Sequence, residues 1–186
     1  DTMRFALILC FALFATPAFA EVDGQVEGQH LKSMSASELM HHHVEIGDEL
    51  RERGLVRSGN APTGDLAEYL FVKAFGWEMA PASQKSFDAT SDGIHYQIKA
   101  RRDYGQSGAR QLSSIRNLDG FDFLAVLIFD RWYQISIAAL VPASVVAERT
   151  RYVDYTASYR FIFSDSILGL PGVRDVTQEL VQRSDY

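Results

Sequence analysis

Apolar and polar residues alternate along residues 94–101, and a period of two is typical of a β-strand whose two faces meet different surroundings. One face carries the apolar positions Ile94, Tyr96, Ile98 and Ala100. The other face is wholly polar and carries His95, Gln97, Lys99 and Arg101. A strand with one apolar face packs on a core, so the polar face is where candidate chemistry is expected.

The turn at residues 91–93 contains Asp-Gly and predicts a β-hairpin, because this pair readily adopts the positive φ angles of a tight turn. Residues 84–90 are then its first strand. The chain neighbours of Asp88 in that strand are apolar, which turns Asp88 towards Gln97 and Lys99. The hairpin is therefore predicted to bring these three polar side chains together.

A helix is predicted over residues 64–75, where apolar residues recur at intervals of three and four. Thr63 is its expected N-cap, Asp65 lies in its first turn, and Gly76 ends it. The positions expected to be buried are Leu66, Leu70, Phe71, Ala74 and Phe75. Glu68 lies among them, and an unpaired buried carboxylate is costly. Glu68 is therefore either a solvated flank residue or a partner of the hairpin.

An earlier helix is predicted to begin at Ser35, since Ser35 and Glu38 have the spacing of a capping box. Its apolar stripe contains Leu39, Met40, His43, Ile46 and Leu50, and Gly54 ends it. Residues 41–43 are consecutive histidines. Successive helix positions diverge by about 100°, so these three side chains do not converge on one metal ion.

The second half of the chain predicts a mixture of strands and helices. Residues 121–129 form a nearly continuous apolar run, typical of a central strand covered on both faces. Residues 132–140 are its expected antiparallel neighbour, and Pro142 is expected to begin a helix that runs to about residue 149. Residues 159–163 predict a last strand, and Asp175 is expected to cap a helix that runs to residue 182.

The segment between the hairpin and the central strand is basic although the chain is acidic. A short helix is predicted there, carrying Arg110, Leu112, Ile115 and Arg116. From Lys99 to Arg116 the chain has five basic residues against one acidic residue, Asp103, and this local excess indicates a polyanionic partner or a solvated charged face. The large aromatic residues are interpreted as core rather than as a base-stacking surface, including Trp77, Trp132 and Tyr133.

Composition limits the possibilities further. A chain of 186 residues with 47% hydrophobic content forms one well-buried domain, expected over residues 34–186, after a flexible lead-in at 21–33. The formal charge of −6 argues against a protein that coats nucleic acid without specificity. Cys10 is the only cysteine, which excludes disulfides within the chain and cysteine-based zinc sites.

Residues 1–20 have the layout of a secretory signal peptide: one basic residue, a short apolar run and a small-residue cleavage pattern that ends at Ala20. The apolar run is too short for a comfortable membrane span. Translation from Met34, just before a well-formed helix start, is the alternative. A true signal peptide predicts a secreted or periplasmic protein, a start at Met34 predicts a cytoplasmic one, and neither mature form is expected in a membrane.

A helix glutamate, an aspartate in one strand of a hairpin and Gln-Ile-Lys in the other resemble the PD-(D/E)XK nuclease superfamily, whose fold is restriction-endonuclease-like. The resemblance implies an α/β (α+β) fold with an α-β-β-β-α-β core and a mixed central sheet flanked by helices. It implies a catalytic group of Glu68, Asp88, Gln97 and Lys99. It implies Mg²⁺, with Mn²⁺ as a substitute, held by Asp88, Glu68, Gln97 and the backbone carbonyl of Ile98.

Two positions depart from the family pattern. Phe87 stands in place of the family's proline, which is a common relaxation. Gln97 replaces an acidic residue and is similar to the Mrr-like branch; it leaves one negative charge fewer for a hard cation, a charge that Glu68 can supply. The implied substrate is nucleic acid, with DNA favoured, and its flanking phosphates would contact Arg101, Arg102, Arg110 and Arg116.

Two alternatives to a nuclease remain open from the sequence. The chain is either a catalytically inert domain of the same fold that binds nucleic acid or a protein partner, or an exported globular protein whose polar hairpin is only a solvated surface. The plain structural interpretation of Asp88 and Lys99 is an ordinary cross-strand ion pair, which stabilises by under about 1 kcal/mol. The exported protein predicts that Asp88, Gln97, Lys99 and Glu68 do not converge.

Overall fold

The computed structural model describes residues 30–59, 61–81, 83–84, 86–105 and 110–184. The predicted signal-like segment 1–20 lies outside these residues, as does most of the predicted lead-in. The described end of the lead-in, residues 30–33, is helical. The chain divides into two compact units, Asp1–Val44 and Glu45–Tyr186.

Helix α1 spans Ala36–Glu52 and contains the boundary between the two units. The predicted capping box is confirmed: the Ser35 N–H donates to the Glu38 carboxylate at 2.7 Å, and the Glu38 N–H donates to the Ser35 hydroxyl at 3.3 Å. The apolar stripe of α1 is exposed to solvent at Leu39, Met40 and Ile46. Among the described residues, no helix is both long and apolar enough to cross a membrane.

Six strands form the main sheet of the second unit, in the order β1-β2-β3-β5-β6-β9. Their bounds are Glu78–Met79 (β1), Ala89–Ser91 (β2), Ile94–Arg102 (β3), Phe123–Phe129 (β5), Ile135–Pro142 (β6) and Arg174–Asp175 (β9). Strands β3 and β5 run parallel, and the other neighbours in this sheet run antiparallel. The sheet is therefore mixed, as predicted.

A second, three-stranded sheet has the order β4-β8-β7. Its strands are Arg110–Gln111 (β4), Thr150–Val153 (β7) and Ser158–Phe163 (β8), and a 3₁₀ turn at Asp154–Thr156 joins β7 to β8. The helices of this unit are α2 at Thr63–Phe75, α3 at Ala143–Arg149 and α4 at Thr177–Arg183, with a 3₁₀ segment at Asp165–Gly169. The architecture is thus mixed α/β, with helices that flank a mixed sheet.

Two hydrophobic cores cover the two faces of the main sheet. Strand β5 alternates between them: Ala125, Leu127 and Phe129 join the first core, while Leu124, Val126 and Ile128 join the second. Helices α2 and α4 cover the first core, and the second core lies beneath α3 and strand β8. The predicted central strand covered on both faces is confirmed, and all six of these side chains are buried.

The predicted short helix across residues 110–116 is wrong. Arg110 and Gln111 instead form β4, which pairs with β8, and the N–H of Ile115 donates to the Tyr159 carbonyl oxygen at 3.1 Å. Leu112 and Ile115 have helical spacing, yet both side chains are buried in the second core. Tertiary pairing with a strand about fifty residues later overrides the local pattern.

Two smaller expectations about α2 and the β5–β6 connection are also wrong. Pro62 is the N-cap of α2, and Thr63 is instead its first residue, with its hydroxyl 3.0 Å from the Tyr133 hydroxyl. Trp132, expected in the core and in a strand, lies in the turn before β6 and is 71% exposed. Trp77 is buried as expected.

Candidate functional site

The hairpin that carries the candidate site has the predicted tight turn. Asp92 and Gly93 have φ angles of 50° and 79°, and positive φ at both central positions is the requirement of the turn that suits twisted strands. Strand β2 begins at Ala89, later than predicted, and Asp88 directly precedes it. The Asp88 N–H donates to the Tyr96 carbonyl oxygen at 2.8 Å, so its backbone is still held by β3.

The Asp88 carboxylate continues the pairing of β3 where strand β2 no longer reaches. Its Oδ2 accepts the backbone N–H of Ile98 at 2.7 Å and a hydrogen bond from the Gln97 side-chain amide. Gln97 is 8% exposed, so this hydrogen bond lies in a place where unsatisfied polar groups are costly. The predicted meeting of Asp88 and Gln97 is therefore present as a direct contact.

The carbonyl of Ile98 faces the same edge of β3 as the Asp88 carboxylate. In a strand, the N–H and C=O of one residue point towards the same neighbouring strand. Since the Ile98 N–H donates to Asp88, its carbonyl oxygen opens on the edge that β2 leaves uncovered beyond Tyr96. A carboxylate and a backbone carbonyl thus face one side of the sheet.

The end of the long β3–β5 connection packs tightly against the hairpin, at His95 and at Ser86. The Asp122 carboxylate accepts the His95 N–H at 2.8 Å, and the Asp122 N–H donates to the His95 carbonyl oxygen at 2.9 Å. Gly120 lies so close to Ser86 that a Cβ at position 120 would be 2.3 Å from the Ser86 Cβ. Position 120 therefore needs glycine. The close contact of the connection with Ser86 holds the chain just before Asp88.

Glu68 projects from α2 and is largely buried, with 17% of its side chain exposed. Burial and then the negative charge of Asp88 raise the pKa of the Glu68 carboxyl from an ordinary 4.5 to about 7, although Arg57 and Lys99 act in the opposite direction. The same two charges of the hairpin that were predicted to meet Glu68 thus act on it electrostatically. Glu68 also forms an ion pair with Arg57.

Arg57 is the residue of this site that the sequence did not indicate. It lies in the irregular segment before α2, and Asp65 fixes that segment by accepting the backbone N–H groups of Arg57 and Ser58, each at 2.8 Å. Burial opposes ionisation of Asp65, but these hydrogen bonds outweigh it and lower the pKa of the Asp65 carboxyl. Asp65 lies in the first turn of α2, as predicted, and its carboxylate also holds the backbone of Arg57 beside Glu68.

Lys99 is half-buried on β3, two residues beyond Gln97. Its positive charge lowers the pKa of Glu68, which places the two groups in one electrostatic environment. Within the described part of the chain, no hydrogen bond or ion pair engages the Lys99 ammonium group. Lys99 therefore differs from an ordinary cross-strand partner of Asp88.

The four arginines predicted to contact phosphates have different surroundings. Arg110 forms ion pairs with Asp103 and Asp165, and these contacts raise the pKa of its guanidinium. Arg102 lies against aromatic rings, Arg101 donates to the Gln111 carbonyl oxygen at 2.9 Å, and Arg116 is exposed. Phosphate binding by all four stays a prediction, and two carboxylates would compete for Arg110.

The oxygen atoms of the site suit a hard cation whose coordination shell is completed by ligands from outside the protein. Among the described residues, no three His, Cys, Asp or Glu side chains are grouped to hold a metal ion. Asp88 and Glu68 supply carboxylates, while Ile98 and Gln97 supply neutral oxygens. Mg²⁺ in proteins commonly binds one or two carboxylates and completes its coordination shell with water and substrate phosphates. The residues present therefore fit a Mg²⁺ site of this kind better than a site in which the protein supplies every ligand.

Comparison with known proteins adds no family to this description. The chain matches no protein-family model, and it is not significantly similar to any curated protein.

We expect Arg57→Ala to raise the pKa of Glu68 above about 7, because the variant removes the nearest positive charge from a buried carboxyl. The titration of the Glu68 side-chain carboxyl carbon, followed by NMR, measures this shift. Arg53→Ala, which removes an ion pair with Glu49 on α1, is the matched control and should leave Glu68 unchanged. An unchanged pKa in Arg57→Ala would show that the ion pair does not control Glu68.

Proposed function

We propose that this chain is a Mg²⁺-dependent nuclease that hydrolyses phosphodiester bonds in nucleic acid. The observation that carries the proposal is the Asp88 carboxylate, fixed on Gln97 and Ile98 while its charge also raises the pKa of Glu68. A site of this kind places the negative charges of Asp88 and Glu68 beside the Lys99 ammonium group. That combination suits a reaction in which a cation and an ammonium group meet a phosphate.

The arrangement of elements supports a restriction-endonuclease-like core. Helix α2 is followed by the meander β1-β2-β3, and β5 then joins the sheet beside β3 in parallel. This is the order that the resemblance implies, with one difference. The crossover from β3 to β5 passes through the short strand β4 and pairs with β8 where a helix was expected.

Each residue of the site has a role that follows from its position. A bound Mg²⁺ would neutralise charge on the scissile phosphate and lower the pKa of a water. Asp88, Glu68 and the Ile98 carbonyl would hold that ion, and Gln97 would orient Asp88 through the hydrogen bond that it already makes. The Lys99 ammonium would bind and orient the attacking water or stabilise charge that develops on the phosphoryl oxygens.

An inert domain of the same fold is the second candidate. One oxygen of Asp88 already accepts two hydrogen bonds, and Glu68 is paired with Arg57. Such a cluster satisfies its own charges without a metal. The third alternative, an exported protein with a solvated hairpin, expects these side chains in water, whereas Gln97 and Glu68 are largely buried.

The test is cleavage of plasmid DNA and of single-stranded oligonucleotides by the full chain. Activity is expected with Mg²⁺ or Mn²⁺ and none with EDTA. Lys99→Ala should reduce cleavage by about 100-fold or more, because it removes a charge that acts on the transition state. Lys73→Ala changes an exposed lysine on α2 and is the matched control. Binding without cleavage would favour the inert domain, and cleavage that survives Lys99→Ala would refute the proposed site.

A further inference from the structure

The turn between β5 and β6 presents an aromatic residue to solvent beside a positive charge. Trp132 is 71% exposed, and the guanidinium carbon of Arg131 lies 4.7 Å from the centre of its ring. A large exposed aromatic residue at a loop tip is not needed for folding, since its burial contributes little there. A ligand that covers the indole ring would recover that contribution.

The backbone of this turn is held by hydrogen bonds to Asp130. Asp130 Oδ1 accepts the N–H groups of Trp132 and Gln134 at 2.7 and 2.9 Å, and the Asp130 N–H donates to the Gln134 carbonyl oxygen at 2.9 Å. Tyr133 has a φ angle of 64°, which is rare for a bulky residue. These hydrogen bonds anchor the turn from which the Trp132 side chain projects into solvent.

A second arginine–aromatic group adjoins the turn. The guanidinium carbon of Arg102 lies 4.6 Å from the ring centres of both Tyr104 and Tyr133, and Tyr104 is 59% exposed. The peptide bond between Trp132 and Tyr133 joins the two groups. We call the five residues Arg102, Tyr104, Arg131, Trp132 and Tyr133 the aromatic platform.

The aromatic platform lies within reach of the candidate site from two directions. Arg102 is three residues beyond Lys99 on β3, about 10 Å along the strand, and its side chain projects from the opposite face, the one that α2 covers. Tyr133 contacts Thr63 through their hydroxyl groups, and Thr63 precedes Glu68 by five residues, about 7.5 Å along the axis of α2. The platform therefore lies on the α2 side of the sheet, the side from which Glu68 projects.

The chemistry of the platform fits unpaired nucleotides. An exposed indole ring stacks on a base only when that base is free of its own duplex neighbours, and adjacent guanidinium groups bind phosphates. We propose that the aromatic platform binds single-stranded nucleic acid, with a base on Trp132 and phosphates on Arg131 and Arg102. This assignment rests on the proposed nuclease function and specifies its substrate as single-stranded or locally unpaired nucleic acid.

The chain has two tryptophans, which makes the proposal directly measurable. Trp77 is buried and stacked 3.8 Å from the Tyr96 ring centre, so it serves as an internal reference. In EDTA, titration of the full chain with a thymidine oligonucleotide is expected to quench the emission of Trp132. Trp132→Phe should abolish the quenching, whereas duplex DNA of the same length should quench much less.

Affinity is measured separately by the fluorescence anisotropy of a labelled oligonucleotide. Trp132→Ala is expected to weaken single-strand binding about 10-fold, the usual effect of losing one stacked base. Tyr155→Ala is the matched control, because Tyr155 is 99% exposed at the β7–β8 connection and should bind normally when replaced. Equal affinity of Trp132→Ala and the wild type, or quenching by anionic lipid vesicles but not by the oligonucleotide, would overturn the proposal.

Cleavage assays separate this proposal from the nuclease function. Quenching and the 10-fold loss in Trp132→Ala, without any cleavage by the wild type, would support the platform and refute the nuclease. Cleavage of duplex and single strands that is unaffected by Trp132→Ala would support the nuclease and refute the platform.

Discussion

Asp88→Asn should lower phosphodiester cleavage by at least about 100-fold while leaving the fold intact. Asparagine keeps an oxygen that accepts the Ile98 N–H, so the edge of β3 stays paired. It loses the negative charge that a divalent cation needs. The measurement is the initial rate of oligonucleotide cleavage in Mg²⁺, with thermal unfolding as the check on folding.

A second variant, Asp88→Ala, distinguishes the structural role of Asp88 from its chemical role. Asp88→Ala leaves the buried Ile98 N–H without its acceptor, so it should also lower the unfolding temperature. Asp92→Asn, in the turn of the same hairpin, is the matched control for the loss of one carboxylate. If Asp88→Asn cleaves at the wild-type rate, Asp88 is only an edge-pairing residue and the nuclease proposal fails.

Glu68→Gln should stabilise the protein at pH 8 by about 1–3 kcal/mol more than at pH 5. The pKa of Glu68 is about 7 in the folded chain and 4.5 ordinarily, so between these values the unfolded state gives up the proton first. The carboxyl therefore costs no stability below about pH 4.5, and its cost grows as the pH rises towards and through 7. Glutamine removes that cost at high pH.

Denaturant unfolding of the variant and the wild type at both pH values measures this difference. Glu78→Gln removes an exposed carboxylate on β1 and is the control. It tests whether the loss of any one negative charge produces the same change in stability between pH 5 and pH 8. A Glu68→Gln variant that is more stable and yet cleaves poorly would mark Glu68 as a residue kept for function at the expense of stability. Equal differences at pH 5 and pH 8 would contradict the raised pKa.

Local pattern predicted the parts of the site that depend on neighbours in sequence. The alternation in β3 and the Asp-Gly turn were sufficient to place Asp88 against Gln97, and that contact is present. The raised pKa of Glu68 could not be predicted from the sequence, because it arises from burial by residues far apart in the chain. Period and turn chemistry fix short-range geometry, whereas burial is a property of the assembled fold.

Long-range pairing explains the expectations that were wrong. Leu112 and Ile115 have helical spacing, but β8 supplies hydrogen bonds that a short isolated helix cannot match. Trp132 was expected in the core because aromatic residues usually are, and the turn fixed by Asp130 turns it outward. Arg57 lies in an irregular segment with no period, so its position beside Glu68 had no sequence signal.

The pairing of β4 with β8 has a consequence for the order in which the protein folds. The crossover that brings β5 beside β3 is itself closed by a strand that ends at Phe163, so the site-bearing half cannot be completed from its own residues. Contacts that span about fifty residues form slowly, because the intervening loop must close first. A nascent chain that ends before residue 158 would hold Asp88, Gln97 and Lys99 without a closed crossover beside them. Such a chain is expected to close its crossover only after the β7–β8 hairpin has left the ribosome.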